Sequence, residues 1–171
     1  MKRLFLATVL FTLAILSGGK AMAQFEGGRG TQNDPYLIAT AEQFNKMGGE
    51  QYSSKYYKQI ANLTFGGQDA AFKAIDFSGH YDGGGHCITA DRPQNTALFG
   101  LLSGSVKNVT LFGIDVQTAQ SSGILAVSIG GGRLDTISVL ASSLSVLANT
   151  SVLFAGILAS SSWTSTVFCC G

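Results

Sequence analysis

The chain has 171 residues, of which 12% are charged, and a formal net charge of +1, so it lacks the basic surface that nucleic-acid binding needs. That length suffices for one domain with its own core. Charge is also uneven: from Gln117 to Gly171 the only charged residues are Arg133 and Asp135, and the Ser, Gly, Ala, Leu and Val around them suit closely stacked short strands.

Lys2 and Arg3, the apolar run Leu4 to Leu16 and the small-residue site Ala21-Met22-Ala23 predict an export signal over residues 1–23, cleaved before Gln24. A retained signal anchor is the weaker reading, because the run is short against the roughly 20 residues a membrane span takes. No cysteine follows the run, which argues against a lipid anchor. A secreted or cell-surface location follows. No later span is expected, since the apolar stretch Leu144 to Ala159 is broken by Asn149, Thr150 and Ser151.

Residues 24–76 read as an N-terminal cap of strand, short helix and strand. Gln24 to Thr31 is polar, Gly-rich and aperiodic, so it is loop. Asn33-Asp34-Pro35 initiates a turn into a short strand, Tyr36 to Ile38. Thr40 and Gln43 are spaced as a capping box, and Ala41, Phe44 and Met47 share a helical face that ends at Gly48-Gly49. A helix there would cover the open edge of the first coil. Tyr57, Gln59 and Ala61 alternate with Lys58, Ile60 and Asn62, which predicts a strand over Tyr56 to Ile60; Asn62 to Thr64 lead into Phe65, and Phe72 to Phe77 feed the next segment.

Residues 77–171 read as the coils of a solenoid. Val109 and Leu111, then Gly113, then Ile114 and Val116 are two short alternations around a glycine corner. Ile137 and Val139 match Val109 and Leu111 at an offset of 28, and Leu144 and Val146 match Ile114 and Val116 at 30. Val167 and Cys169, aligned with Ile137 and Val139, begin a further copy. Blocks of alternating size precede the copies: ALFG (97–100), GILA (123–126) and GILA (156–159). A repeat near 28 to 30 residues built from short strands indicates stacked coils, hence a mainly β, right-handed parallel β-helix with one short capping helix. The chain stops before a complete last coil or a polar cap, so a fragment of a longer repeat protein, or self-association through the open coil, is expected.

Few residues offer chemistry. His80, Asp82 and His86 stand within seven residues but not at a zinc-ligand spacing; Asp82-Gly83-Gly84-Gly85 is better read as a turn with the histidines hydrogen-bonding across it. The coil carboxylates, Asp76, Asp82, Asp91, Asp115 and Asp135, do not repeat at equivalent positions, so solvated outward acids explain them better than a catalytic pair. The odd cysteine count, Cys87, Cys169 and Cys170, does not make a disulfide framework, and Cys87 and Cys169 fit small apolar strand positions. Gly130-Gly131-Gly132 lacks the Lys-Ser or Lys-Thr of a phosphate loop and reads as a corner, and His-Glu-x-x-His is absent. Asn62-Leu63-Thr64, Asn108-Val109-Thr110 and Asn149-Thr150-Ser151 fit the glycosylation tripeptide, which arises by chance in Ser/Thr-rich chains.

The segments GRGTQNDPYLIATAEQF, FSGHYDGGGHCIT and ALFGLLSGSVKNVTL, spanning roughly Gly28 to Val116, resemble in content and order those of bacterial exported surface proteins of the GLUG-repeat type. In the last third Gly-Ile-Leu-Ala stands where that family has Gly-Leu-Val-Gly. The resemblance implies a β-helix surface protein, often adhesive, and supplies no catalytic residue, metal or cofactor. The expected function is therefore a surface module for adhesion or interaction, its partner a host or matrix glycan or protein. The alternative is a polysaccharide lyase or hydrolase on the same scaffold.

Overall fold

The computed structural model describes residues 24–66 and 71–146, together with the backbone of 155–156, 159–163 and 167–168. The predicted signal, Cys169 and Cys170 lie outside the described residues. The fold is a β-solenoid in which all pairings between the described strands are parallel.

One sheet runs β1 (Tyr36–Ile38), β2 (Tyr56–Gln59), β5 (His80–Asp82), the first half of β8 (Ser105–Phe112), the first half of β12 (Arg133–Leu140) and β16 (Val167–Phe168). The second halves of β8 and β12 continue round a bend, where β3 (Leu63–Phe65) pairs with β6 (Cys87–Ala90) and β6 with β8. β9 (Asp115–Thr118) and β13 (Ser143–Val146) form the next face, joined by a bridge from Gln94 to Val116. β4 (Ile75–Phe77), β7 (Phe99–Leu102), β11 (Ala126–Gly130) and β15 (Ala159–Trp163) close the coil, with β10 (Ser122–Gly123) and β14 (Ala155–Gly156) paired beside them. The stack thus already takes in β2 and β3, which lie ahead of Phe77, the residue at which the coils were expected to begin, and β4, which ends at it.

The corners follow from backbone conformation. Gly113 (φ 64°) and Gly131 (φ 80°) are left-handed, as the corner reading requires. Their surroundings show that the coil length is not constant. Tyr56 pairs with His80, His80 with Ser105, Ser105 with Arg133 and Leu134 with Val167, offsets of 24, 25, 28 and 33 residues.

The register corrects three sequence alignments. Ile137 and Val139 do stack on Val109 and Leu111, but Leu144 stacks on Val116 and Val146 on Thr118, again 28 residues apart. The counterpart of Ile114 is Ser142, whose Oγ accepts a hydrogen bond from Ile114 N–H at 3.1 Å; Ile114 fills the core at the corner while Ser142 caps the corner's backbone, so matching by hydrophobicity slipped by two residues. Val167 lies over Leu134 rather than Ile137, because the last coil is longer. Phe99 pairs with Ala126, which puts ALFG one residue out of phase with the first GILA, whereas the two GILA blocks are in phase through Gly123 with Gly156 and Ala126 with Ala159.

The helix α1 (Ala41–Lys46) starts at the predicted capping box: Gln43 N–H donates to Thr40 Oγ1 (3.2 Å), and Thr40 N–H to Gln43 Oε1 (3.3 Å). Its fully buried Phe44 meets Phe65, Tyr81 and Phe99, with ring centroids 5.3–5.7 Å apart, so one side chain ties the helix to three strands, β3, β5 and β7. The loop 24–34 supplies the rest of the cover: Leu37 exchanges backbone hydrogen bonds with Glu26 N–H and the Gly27 carbonyl, which satisfies the outer edge of β1. Inward residues are aromatic in the early coils (Tyr57, Phe65, Phe77, Tyr81, Phe99) and aliphatic later (Val106, Leu111, Val116, Ile129, Leu134).

The bend within β8 and β12 is made by Asn108 (φ 55°) and Thr136 (φ 53°), which are register partners one coil apart. Asparagine tolerates this left-handed conformation, whereas a β-branched threonine is strained in it by about 1–2 kcal/mol. Thr136→Asn is accordingly expected to stabilise the fold by about 0.5–1 kcal/mol, read as a higher urea midpoint at unchanged slope. An unchanged or lower midpoint would show that the bend carries no strain.

Candidate functional site

The outward face of the sheet β2-β5-β8-β12 carries the densest set of functional side chains. Tyr57, Tyr81, Val106 and Leu134 point into the core, at most 2% exposed, and strand alternation therefore turns their neighbours outward in two columns. One column, in register order, is Tyr56, His80, Ser105 and Arg133. The other is Lys58, Asp82, Lys107 and Asp135. Together with Gln32, Pro35, Ser78, Ser103 and Gly131 they line an open groove of about 880 Å³.

Neighbouring rungs are linked. The His80 ring stacks on Tyr56, centroids 4.3 Å apart and planes 22° off parallel, and its Nδ1 lies 2.7 Å from Ser105 Oγ. Lys107 Nζ is 3.2 Å from Asp82 Oδ2. Asp82 Oδ1 also accepts from Gly84 N–H (3.0 Å) and Asn108 Nδ2 (2.9 Å). Partial burial by itself would push the Asp82 pKa up, but the Asn108 and Gly84 hydrogen bonds and the Lys107 ammonium outweigh it and hold the carboxyl below its ordinary value. Asp82 is thus an anchored carboxylate at neutral pH. Asp135 accepts from Thr136 Oγ1 at 3.0 Å.

The turn after β5 is as expected in having Gly84 (φ 60°) and Gly85 (φ 77°) left-handed, but the histidines do not bridge it. Asp82 holds it through Gly84, while His80 is engaged with the next coil and His86 contributes its backbone N–H to the Gly83 carbonyl at 2.9 Å. His86 lines neither this groove nor the smaller one beyond the bend. The remaining carboxylates are dispersed. Asp76 Oδ1 accepts from Leu101 N–H (2.7 Å), Asp115 is bonded by Gln117 Nε2 (2.7 Å) and Ser143 Oγ (2.6 Å), and Asp91 is exposed after β6. Cys87 has a free thiol and is half-buried, on the opposite strand face from the buried Ile88, rather than filling an apolar core position.

Of the acids considered from sequence, then, the fold brings Asp82 and Asp135 together and adds Tyr56, Lys58, Ser105, Lys107 and Arg133, which motif reading passed over. The 28-residue offset already paired Ser105 with Arg133 and Lys107 with Asp135. Reaching Asp82 and Lys58 required the shorter offsets of the earlier coils.

No family model matches the chain, so its likeness to GLUG-repeat proteins rests on the motifs, and no solved structure matches it. Among curated proteins, a Gly-rich membrane protein of Evansella cellulosilytica is 31% identical over 150 residues, covering 77% of this chain. The chain spans only 17% of that relative's length. Among the described residues no helix is long and apolar enough to cross a membrane.

Proposed function

We propose that the chain is an exported surface module that binds its partner through the open face of the sheet β2-β5-β8-β12, in the manner of an adhesin-like GLUG-type β-helix. The observation that carries this reading is the groove itself: two columns of outward polar and aromatic side chains, held in register by the solenoid and fixed by cross-rung bonds such as Asp82 with Lys107 and His80 with Ser105. Such a surface is preorganised, which lowers the ordering cost of binding. A relative with "membrane" in its name supports a place at the cell envelope.

The second reading, a carbohydrate-active enzyme, draws on Asp82, Lys107, Arg133 and Asp135 sharing one open face. Against it stands the chemistry of Asp82, which is anchored by hydrogen bonds and an ion pair and is therefore poorly suited to give up a proton at neutral pH. A glycan and matrix-protein array on the exported chain, run beside Arg133→Ala and beside a polysaccharide-degradation screen, separates the two. Binding that weakens in Arg133→Ala without degradation supports the module. Turnover of a polysaccharide establishes the enzyme, and binding indifferent to groove substitutions removes this face from the function.

A further inference from the structure

The charge pattern of the groove selects its ligand. Along the column Lys58, Asp82, Lys107 and Asp135 the sign alternates at every rung, about 4.7–4.9 Å apart. A polyanion laid across the rungs would meet Asp82 and Asp135, and a polycation would meet Lys58 and Lys107; either suffers repulsion on every second rung. An uncharged polymer rich in hydroxyl groups meets no such conflict. Each hydroxyl both donates and accepts, so it can donate to the carboxylates and accept from the ammonium groups.

The parallel column adds the complementary feature. At its β2 end the Tyr56 and His80 rings stack on each other, so the pair meets the groove by its ring edges, and beyond it Ser105 and Arg133 supply further polar contacts. The apolar C–H groups of a sugar ring can pack along this aromatic rim while its hydroxyls reach the neighbouring column. The four rungs span about 14 Å along the solenoid axis, long enough for a short run of sugar units. Resting on the proposed binding role of this face, we infer that its ligand is a neutral polysaccharide lying across the strands, with a sugar ring against the rim of the Tyr56–His80 stack and its hydroxyls on the Lys58-Asp82-Lys107-Asp135 column.

The test is calorimetric titration of the exported chain with soluble neutral polysaccharides (a mannan, a xylan and a β-glucan), a polyuronate and a sulfated polysaccharide, each at low and high salt. At least one neutral polymer should bind with an affinity little changed by salt, and Tyr56→Ala, checked for unchanged thermal unfolding, should weaken it about tenfold or more. Asp135→Asn, which leaves the column with an excess of positive charge, should gain salt-sensitive affinity for the polyuronate. Preference of the unaltered chain for a polyanion, wild-type affinity in Tyr56→Ala, or no polysaccharide binding would each overturn the inference. A protein partner lost in both Tyr56→Ala and Arg133→Ala would overturn the ligand class and leave the binding face standing, whereas binding untouched by either substitution would overturn both.

Discussion

Gly104→Ala is expected to destabilise the solenoid by about 3 kcal/mol or more, at the upper end of what overpacking costs. Gly79, Gly104 and Gly132 precede β5, β8 and β12 and stack at one corner, where Ser105 N–H donates to the Gly79 carbonyl (2.8 Å) and Arg133 N–H to the Gly104 carbonyl (2.9 Å). A methyl on Gly104 would collide with the Gly79 carbonyl oxygen and stand 2.6 Å from Ser78 C and 2.7 Å from Gly79 N. These are backbone atoms of the coil below, so no side chain can swing aside; relief requires the coils to separate and the ladder bonds to stretch. Gly113→Ala is the contrasting control. Gly113 is left-handed but nothing lies within 4 Å of an added methyl, and its counterpart one coil on is already Ala141 at φ 48°. Only the conformational cost of about 1–2 kcal/mol applies there. Urea unfolding of the two variants checks the difference, and a Gly104→Ala midpoint equal to that of Gly113→Ala would contradict the close stacking at this corner.

Gln59→Leu is expected to cost about 3–5 kcal/mol although it replaces a polar core residue by an apolar one of similar size. The Gln59 side chain is fully buried and every part of its amide is used. Its Nε2 donates to the Ala61 carbonyl (2.8 Å) and the Cys87 carbonyl (3.1 Å), and its Oε1 accepts from Tyr81 O–H (2.8 Å). Leucine would leave those partners without the amide's hydrogen bonds inside the core, and unmade buried hydrogen bonds cost more than the leucine's transfer gains. Burial, aided slightly by Asp82, pushes the Tyr81 hydroxyl well above its ordinary pKa, so it stays a protonated donor. Tyr81→Phe removes the same bond from the other side. Its loss and that of Gln59→Leu should therefore add to less than their sum in a double-mutant cycle, and strict additivity would show that the two groups act independently.

How much of this was legible in the residues varies with the range of the interaction. The capping box at Thr40 and Gln43, the corner at Gly113 and the alternation in Tyr56 to Gln59 are set by neighbours along the chain, and these readings carried through to the structure. The offset of 28 between Val109 and Ile137 was also visible, because identical local patterns recur on adjacent coils. Val146 and Val167 were misaligned because apolar residues recur at several positions of each coil, and apolarity alone does not say which position of the next coil a residue meets. Gln59 is the sharper case. Its polarity suggests an outward residue, yet it is the core's amide and Ile60 is the exposed neighbour, since only the approach of Tyr81 and Cys87 from the next coil provides the partners that make its burial tolerable.

The sequence by itself determined that this is a stack of short strands with glycine corners and a capped N-terminal helix, since alternation, left-handed turns and end caps are written in contiguous residues. The tertiary structure alone decided the register, the lengthening of successive coils and the groove. Tyr56, His80, Ser105 and Arg133 become neighbours only when parallel strands 24, 25 and 28 residues apart are hydrogen-bonded side by side. That pairing depends on how each corner packs against the coil beneath it, which no stretch of sequence contains alone.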